Sequence, residues 1–174
     1  MVRPFDLRDL ALIRRLGERG VSLHTVSALV ENVHPLRGAL ISMLVGGEFP
    51  TFVWKPDNGE RDGFVQLRVS HSGPQAFVLY ISPRCDGARD GNGDLGALHN
   101  HNHSAAGGVW LALLDESVAE IGRRGIHHLI AETDERGPEL PVLRRAGFAV
   151  YTRQDIWSVA AADYRPQGAA ARKL

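Results

Sequence analysis

The sequence lacks the features that mark several large classes of protein. Its only cysteine, Cys85, cannot form a disulfide within the chain, so a reducing, cytoplasmic location is the simplest prediction. The 20 basic and 20 acidic side chains cancel, which argues against binding to nucleic acid or a membrane surface through excess positive charge. No apolar run approaches the roughly 20 residues of a membrane span. No basic N-terminal region leads into an apolar one, so we expect no secretory signal.

The composition that remains is typical of one globular domain. Of the 174 residues, 44% are hydrophobic and 23% charged, which is enough for a single core. We predict one domain over residues 1–161 and a disordered tail over residues 162–174, where alanine, glycine and charged residues dominate. The polar, glycine-rich surroundings of Cys85 predict an exposed thiol in an unusually long loop over residues 82–108.

Helix and strand patterns are mixed in the first half of the chain. Asp6 is followed three positions later by Asp9, a capping-box pattern that predicts the start of a helix. A second helix should begin near Thr25 and break at Pro35. Alternating or continuous apolar residues predict strands over residues 2–5, 51–55, 64–69 and 76–81.

The second half contains the most informative pattern. Apolar side chains recur at helical spacing at Leu111, Leu114, Val118 and Ile121. Gly125 should end this helix in the left-handed conformation. The elements predicted after it are a strand over residues 127–131, a helix over residues 138–146, and strands over residues 148–151 and 156–159. This order predicts an α/β fold in which ligands lie beyond the carboxyl ends of strands, near helix N-termini.

The residues of this half resemble a known family. The segments are WLALLDESVAEIGRRGIHHLIAE and PELPVLRRAGFAVYTRQDIWSV, and they resemble the GNAT superfamily of acyl-CoA-dependent N-acyltransferases. The resemblance implies a mixed, mostly antiparallel central sheet with helices on both faces. It implies direct transfer of an acyl group, with acetyl as the expected one, from acetyl-CoA as co-substrate to a primary amine of a small molecule or peptide.

The sequence departs from the family pattern in three ways, which are one missing motif and two substituted positions. No window before the long helix matches the family's phosphate-loop motif. Leu143 stands where the family often has a tyrosine that protonates the departing thiolate, and Arg136 stands near the position of a cofactor-binding asparagine. The second hypothesis is therefore a catalytically inactive binding or regulatory module that keeps the GNAT fold.

Two segments are candidates for cofactor binding. The resemblance implies that the backbone of Leu79, Tyr80, Ile81 and Ser82 binds the pantetheine arm, in a cleft between the strands over residues 77–81 and 127–131. Small residues at the start of the long helix let phosphates approach backbone N–H groups. These residues are Ser104, Ala105, Ala106, Gly107 and Gly108, and an ordinary helix entry explains them equally well.

Acyl transfer to an amine needs a proton acceptor and a proton donor. Glu132 is the candidate base because it follows the strand over residues 127–131, and Asp134, His127 and His128 are alternatives. Tyr80 is a further catalytic candidate, since a buried phenol needs a partner. Tyr151 could replace the missing acid, although packing is the better explanation of its place on a predicted strand.

The long loop contains a second possible chemistry. His99, His101 and His103 would project from one side of an extended segment, and imidazole suits several transition metals. No cysteine or carboxylate completes a four-ligand spacing, so we favour a solvated polar loop and expect no metal. The predicted strands over residues 148–161 offer a surface for a homodimer. The identity of the acceptor amine is not indicated by the sequence.

Overall fold

The structure is a computed structural model that describes residues 1–30, 34–46, 48–56, 62–85 and 105–157. The strands are β1 (Val2–Pro4), β2 (Val21–Ser22), β3 (Thr51–Trp54), β4 (Gly63–Val69), β5 (Gln75–Ser82) and β6 (His128–Ile130). The helices are α1 (Leu10–Leu16), after a 3-10 turn at Leu7–Asp9, then α2 (Thr25–Val30), α3 (Pro35–Ile41), which continues into a π-helical turn at Ser42–Gly46, α4 (Ala105–Arg123) and α5 (Glu139–Arg145). No helix in these ranges is long and apolar enough to cross a membrane.

The strands form one mixed, mostly antiparallel sheet, as predicted. β1, β3, β4 and β5 lie side by side in that order, and each strand is antiparallel to the next. The far edge of β5 is shared by two short strands. β6 pairs in parallel with the beginning of β5, and β2 pairs antiparallel with its end.

Alternate side chains of β4 face two separate cores. Val65 and Leu67 belong to the larger core, together with Trp110 of α4. Phe64 belongs to the second core, together with Ile13 of α1. Because successive side chains of a strand point to opposite faces, the two cores lie on opposite sides of the sheet. Helices therefore cover both faces, α4 and α5 on one and α1 and α3 on the other.

Several local predictions are confirmed by the backbone. The Asp6 carboxylate accepts the N–H of Arg8, and the Asp9 carboxylate accepts the N–H of Asp6, which is the capping box. Pro35 is the first residue of α3, a position where proline is favourable. Gly125 follows α4 with a φ of +74°, in the left-handed region.

Two predictions are wrong, namely the strands after residue 147 and the exposure of Cys85. Residues 148–157 form no strand, and Tyr151 and Trp157 are largely exposed. An apolar pattern makes a strand only where a sheet edge or an apolar face receives it. Cys85 is buried in the larger core, because the polarity of neighbouring residues does not determine where one side chain turns. Residues 158 and 159 of the second predicted strand lie outside the described residues. The predicted domain end at residue 161 and the tail lie outside the described residues.

Candidate active site

The predicted cleft lies at the carboxyl ends of β5 and β6. The two strands are paired where Phe77 lies opposite Ile130, and they separate beyond that point. Leu23 lies between them, because its N–H donates to the Leu79 carbonyl at 3.1 Å and its carbonyl accepts the N–H of Glu132 at 2.8 Å. The strands therefore part as predicted, but the gap between them is not open. The chain itself fills the gap with the residues around β2.

A β-bulge lies on β5 at the residue where β5 and β6 separate and Leu23 lies between them. Gln66 of β4 pairs with Tyr80 and Leu67 pairs with Val78, so Leu79 is the extra residue on β5. The Leu79 carbonyl accepts a second hydrogen bond from the Ser22 hydroxyl at 3.0 Å. The backbone predicted to bind pantetheine is therefore already hydrogen-bonded to the protein's own segment.

Ile81 and Ser82, at the end of β5, also contact residues of the N-terminal part of the chain. Ile81 lies opposite Val21 in the antiparallel ladder. The Ser82 hydroxyl is fully buried and donates to the Leu16 carbonyl at 2.9 Å. Sequence reasoning missed β2 because a strand of two residues has no readable alternation.

Tyr80 anchors the chain that leads into β2. Its hydroxyl donates to the Gly17 carbonyl at 2.6 Å and accepts the N–H of Gly20 at 3.0 Å. Burial raises the pKa of the Tyr80 phenol, although the hydrogen bond from Gly20 opposes the shift. The ring is stacked on Phe64 with centroids 5.8 Å apart. In this conformation the Tyr80 hydroxyl therefore has both a donor and an acceptor partner within the protein.

Glu132 binds the same segment from the other side. Its carboxylate accepts the N–H of Thr25, the first residue of α2, at 2.6 Å across 107 positions of sequence. The side chain is only partly buried, so it remains accessible at the rim of the gap. Glu132 and Tyr80 therefore both hydrogen-bond to one segment, residues 17–25, which borders the predicted cleft.

The other candidate proton carriers are less well placed. His127 and His128 are exposed, and Asp134 uses its carboxylate to accept the N–H of Arg136 at 2.7 Å. Tyr151 is 78% exposed and lies in the segment without regular structure. In the described ranges, no hydrogen bond joins Tyr151 to Tyr80 or Glu132.

The candidate phosphate cradle forms the first turn of α4. The helix begins at Ala105, with Ala106 and Gly107 buried and Gly108 exposed. Ser104 lies outside the described residues. The indole N–H of Trp110 donates to the Pro83 carbonyl at 2.7 Å, so the start of α4 lies beside the end of β5. The positive end of a 19-residue helix therefore lies near the carboxyl end of β5, where it favours an anionic group.

Sequence reasoning missed a buried carboxylate next to this region. Glu139, the first residue of α5, is 4% exposed, and its Oε1 has no hydrogen-bond partner in the described part of the chain. Its nearest cation is Arg84, with Nε 3.7 Å from Oε1. Glu139 lies one turn before Leu143, so the two share a face of α5. The four-residue spacing was the available signal.

No metal centre is found in the described residues. No three histidine, cysteine or carboxylate side chains there are grouped closely enough to hold an ion. His99, His101 and His103 lie outside the described ranges, so neither the solvated loop that we favour nor the alternative metal site is tested by the structure.

Comparison with known proteins adds a structural relative. No known family profile matches the sequence, and no match is found among curated proteins. Among solved structures, the chain is similar to the aminoglycoside N-acetyltransferase AAC(6')-Iy in complex with CoA. The TM-score is 0.58 and the identity 15%, over 92% of this chain and 99% of that chain. At this identity the likeness shows the fold alone. The chain therefore has the GNAT fold that its sequence resembles.

Proposed function

We propose that the protein is an acyl-CoA-dependent N-acyltransferase that uses the gap between β5 and β6 as its cofactor site. The observation that carries the proposal is the bulge at Leu79, on β5, at the place where the two parallel strands part. A bulge turns backbone groups out of the ladder, and bulges are frequent next to active sites. The similar structure contains CoA, which supports a CoA thioester as co-substrate, with acetyl-CoA as the simplest choice.

The pantetheine arm is an extended chain with two amide groups, so it can pair with a strand edge as a peptide does. In the proposed complex it takes the place that residues 21–23 occupy in this conformation beside Leu79, Tyr80 and Ile81. The phosphates then lie toward the first turn of α4, where the helix dipole attracts them. This arrangement needs no phosphate-loop motif, because backbone N–H groups and the dipole supply the attraction.

The proposed reaction is direct transfer to a primary amine. The amine nitrogen attacks the thioester carbonyl, a C–N bond forms, and the C–S bond breaks. Glu132 accepts the proton that the nitrogen loses, and a phenol protonates the departing thiolate. Tyr80 is the nearer phenol, but it must first give up its hydrogen bond to Gly17, whereas Tyr151 is available from solvent. A backbone N–H near the bulge polarises the carbonyl in the transition state.

Two observations favour a second candidate function. The edge of β5 that pantetheine would use is hydrogen-bonded to the protein itself, and Leu143 has no proton to donate. A GNAT fold closed in this way would serve as a binding or regulatory module without catalysis. The two candidates differ in one measurable property, which is binding of acetyl-CoA.

Isothermal titration of the full chain with acetyl-CoA tests the proposal. Binding with a stoichiometry of one per chain supports the transferase, and the release of free CoA thiol with a panel of primary amines would then identify the acceptor class. The absence of heat at millimolar acetyl-CoA, confirmed by the lack of any shift in melting temperature, would leave the non-catalytic module. Unacylated CoA serves as the matched ligand, since it tests the site without the reacting group.

A further inference from the structure

The edge of β5 is occupied over a short and well-defined length. Residues 20–25, which we name the closing segment, include β2 and the first residue of α2. The segment makes its ladder with Tyr80 and Ile81, and Leu23 bridges the two separated strands. The ladder covers the residues to which the proposed function assigns the pantetheine arm.

Apolar contacts and hydrogen bonds together hold the closing segment in the gap. Leu23 is buried in the larger core with 1% exposure, Val21 packs against that core, and the His24 ring lies edge-on to Phe77. The backbone of Gly20 is held by the Tyr80 hydroxyl, and the N–H of Thr25 is held by the Glu132 carboxylate. A hydrogen bond to a charged group contributes about 1.5–3 kcal/mol, more than a neutral one. The Glu132 contact is therefore the strongest single polar contact that the segment makes.

We infer that the closing segment competes with acyl-CoA for the edge of β5, and that Glu132 holds the segment in the closed position. The inference rests on the proposed function. The segment and the ligand cannot both pair with Leu79, Tyr80 and Ile81, because one strand edge has one set of hydrogen-bonding groups. The apparent affinity for ligand then equals the intrinsic affinity multiplied by the fraction of molecules in which the segment has left.

Two variants remove the same hydrogen bond from opposite partners. Glu132→Ala removes the acceptor, and Thr25→Pro removes the donor at the first residue of α2, where a helix tolerates proline well. The matched control is Glu135→Ala, an exposed glutamate of the same loop whose partner is Arg153. Each protein is titrated with acetyl-CoA by calorimetry, and its melting temperature is measured to confirm folding.

We expect both variants to bind acetyl-CoA about tenfold more tightly than the wild type, since a charged hydrogen bond of this strength corresponds to a factor of ten or more. The control should bind as the wild type does. Unchanged or weaker binding in both variants would overturn competition and leave the proposed function intact. If no protein binds at millimolar ligand, the proposed function fails, and the inference fails with it.

Hydrogen exchange on the wild type gives a test that needs no variant. The N–H groups of Leu23, Thr25 and Glu132 are hydrogen-bonded in the closed state and should exchange slowly. Saturating acetyl-CoA should speed exchange at Leu23 and Thr25, while the N–H groups along β4 stay protected. Protection of Leu23 and Thr25 that persists at saturation would show that ligand binds without displacing the segment, which overturns the inference.

Discussion

Replacing Gly20 with alanine should weaken the closing segment at its first residue. A Cβ on Gly20 would lie 2.6 Å from the Ile81 carbonyl oxygen and nearer still to the ring of Tyr80. Neither neighbour can give way easily, because Ile81 is part of the sheet and the Tyr80 ring is stacked on Phe64. The segment must therefore shift, and the hydrogen bond between Gly20 and Tyr80 is strained or lost.

Overpacking of this kind costs about 1–3 kcal/mol. We expect the free energy of unfolding to fall by about that amount, with a loss of roughly 2–4 °C in melting temperature per kcal/mol for a chain of this size. If the same amount is lost from the closed state alone, acetyl-CoA should bind about 5-fold to 150-fold more tightly. Urea unfolding measures the first quantity and calorimetric titration the second.

The matched control for this prediction is Gly73→Ala. Gly73 lies in the turn between β4 and β5, and a Cβ there would meet no atom within 4 Å. The control should leave both quantities unchanged. A Gly20→Ala protein that loses stability but binds acetyl-CoA as the wild type does would refute competition. A protein that loses no stability would refute the close packing of Gly20 against β5.

Three further predictions test the cofactor site and the core. Gly108→Glu puts a negative charge in the first turn of α4, where the helix dipole tolerates it but the phosphates of acetyl-CoA are repelled. We expect acetyl-CoA to bind this variant about tenfold more weakly. The control is Gly122→Glu, an exposed position near the other end of α4, which should change binding little. Burial raises the pKa of the Asp9 carboxyl, but hydrogen bonds from Arg3 and a backbone N–H outweigh it and hold the pKa below its ordinary value. Asp9→Asn should thus lower stability by about 1–2 kcal/mol at pH 7, and the difference should vanish as the pH falls through about 4 and below, as urea unfolding at several pH values will measure. Tyr80→Phe removes two hydrogen bonds and should lower stability by about 1–3 kcal/mol. Because the pKa of the phenol is raised, the wild type should also lose more stability than the variant above about pH 10.

The parts of the fold that the sequence predicts well are those set by local chemistry. The capping box at Asp6, the helix break at Pro35 and the left-handed turn at Gly125 each depend on one residue and its immediate neighbours. The alternation in β4 likewise needs only the period of a strand. These features fix the order of the elements, and the order carries the resemblance to the GNAT fold.

The parts that the sequence predicts poorly depend on contacts between distant residues. β2 exists because Val21 and Ser22 find an unpaired edge, not because two residues have any strand pattern. The hydrogen bond between Thr25 and Glu132 joins positions 107 apart, and no local pattern could indicate it. The prediction of an open cleft failed for this reason: the strands separate, but a segment from the other end of the chain lies between them.

The closing segment follows from a physical requirement of the fold. When two parallel strands part, the facing backbone groups of each strand lose their partners, and such groups are costly to bury unpaired. Water, a ligand or another part of the chain must supply the missing hydrogen bonds. Here Leu23 supplies them to both strands at once, through its N–H and its carbonyl. The free energy that stabilises this closed state is subtracted from the affinity for any extended ligand at the same edge. The strength of the contacts at Gly20 and Thr25 therefore decides between the two proposed functions: a weak closure leaves a regulated transferase, and a strong one leaves a module that binds no thioester.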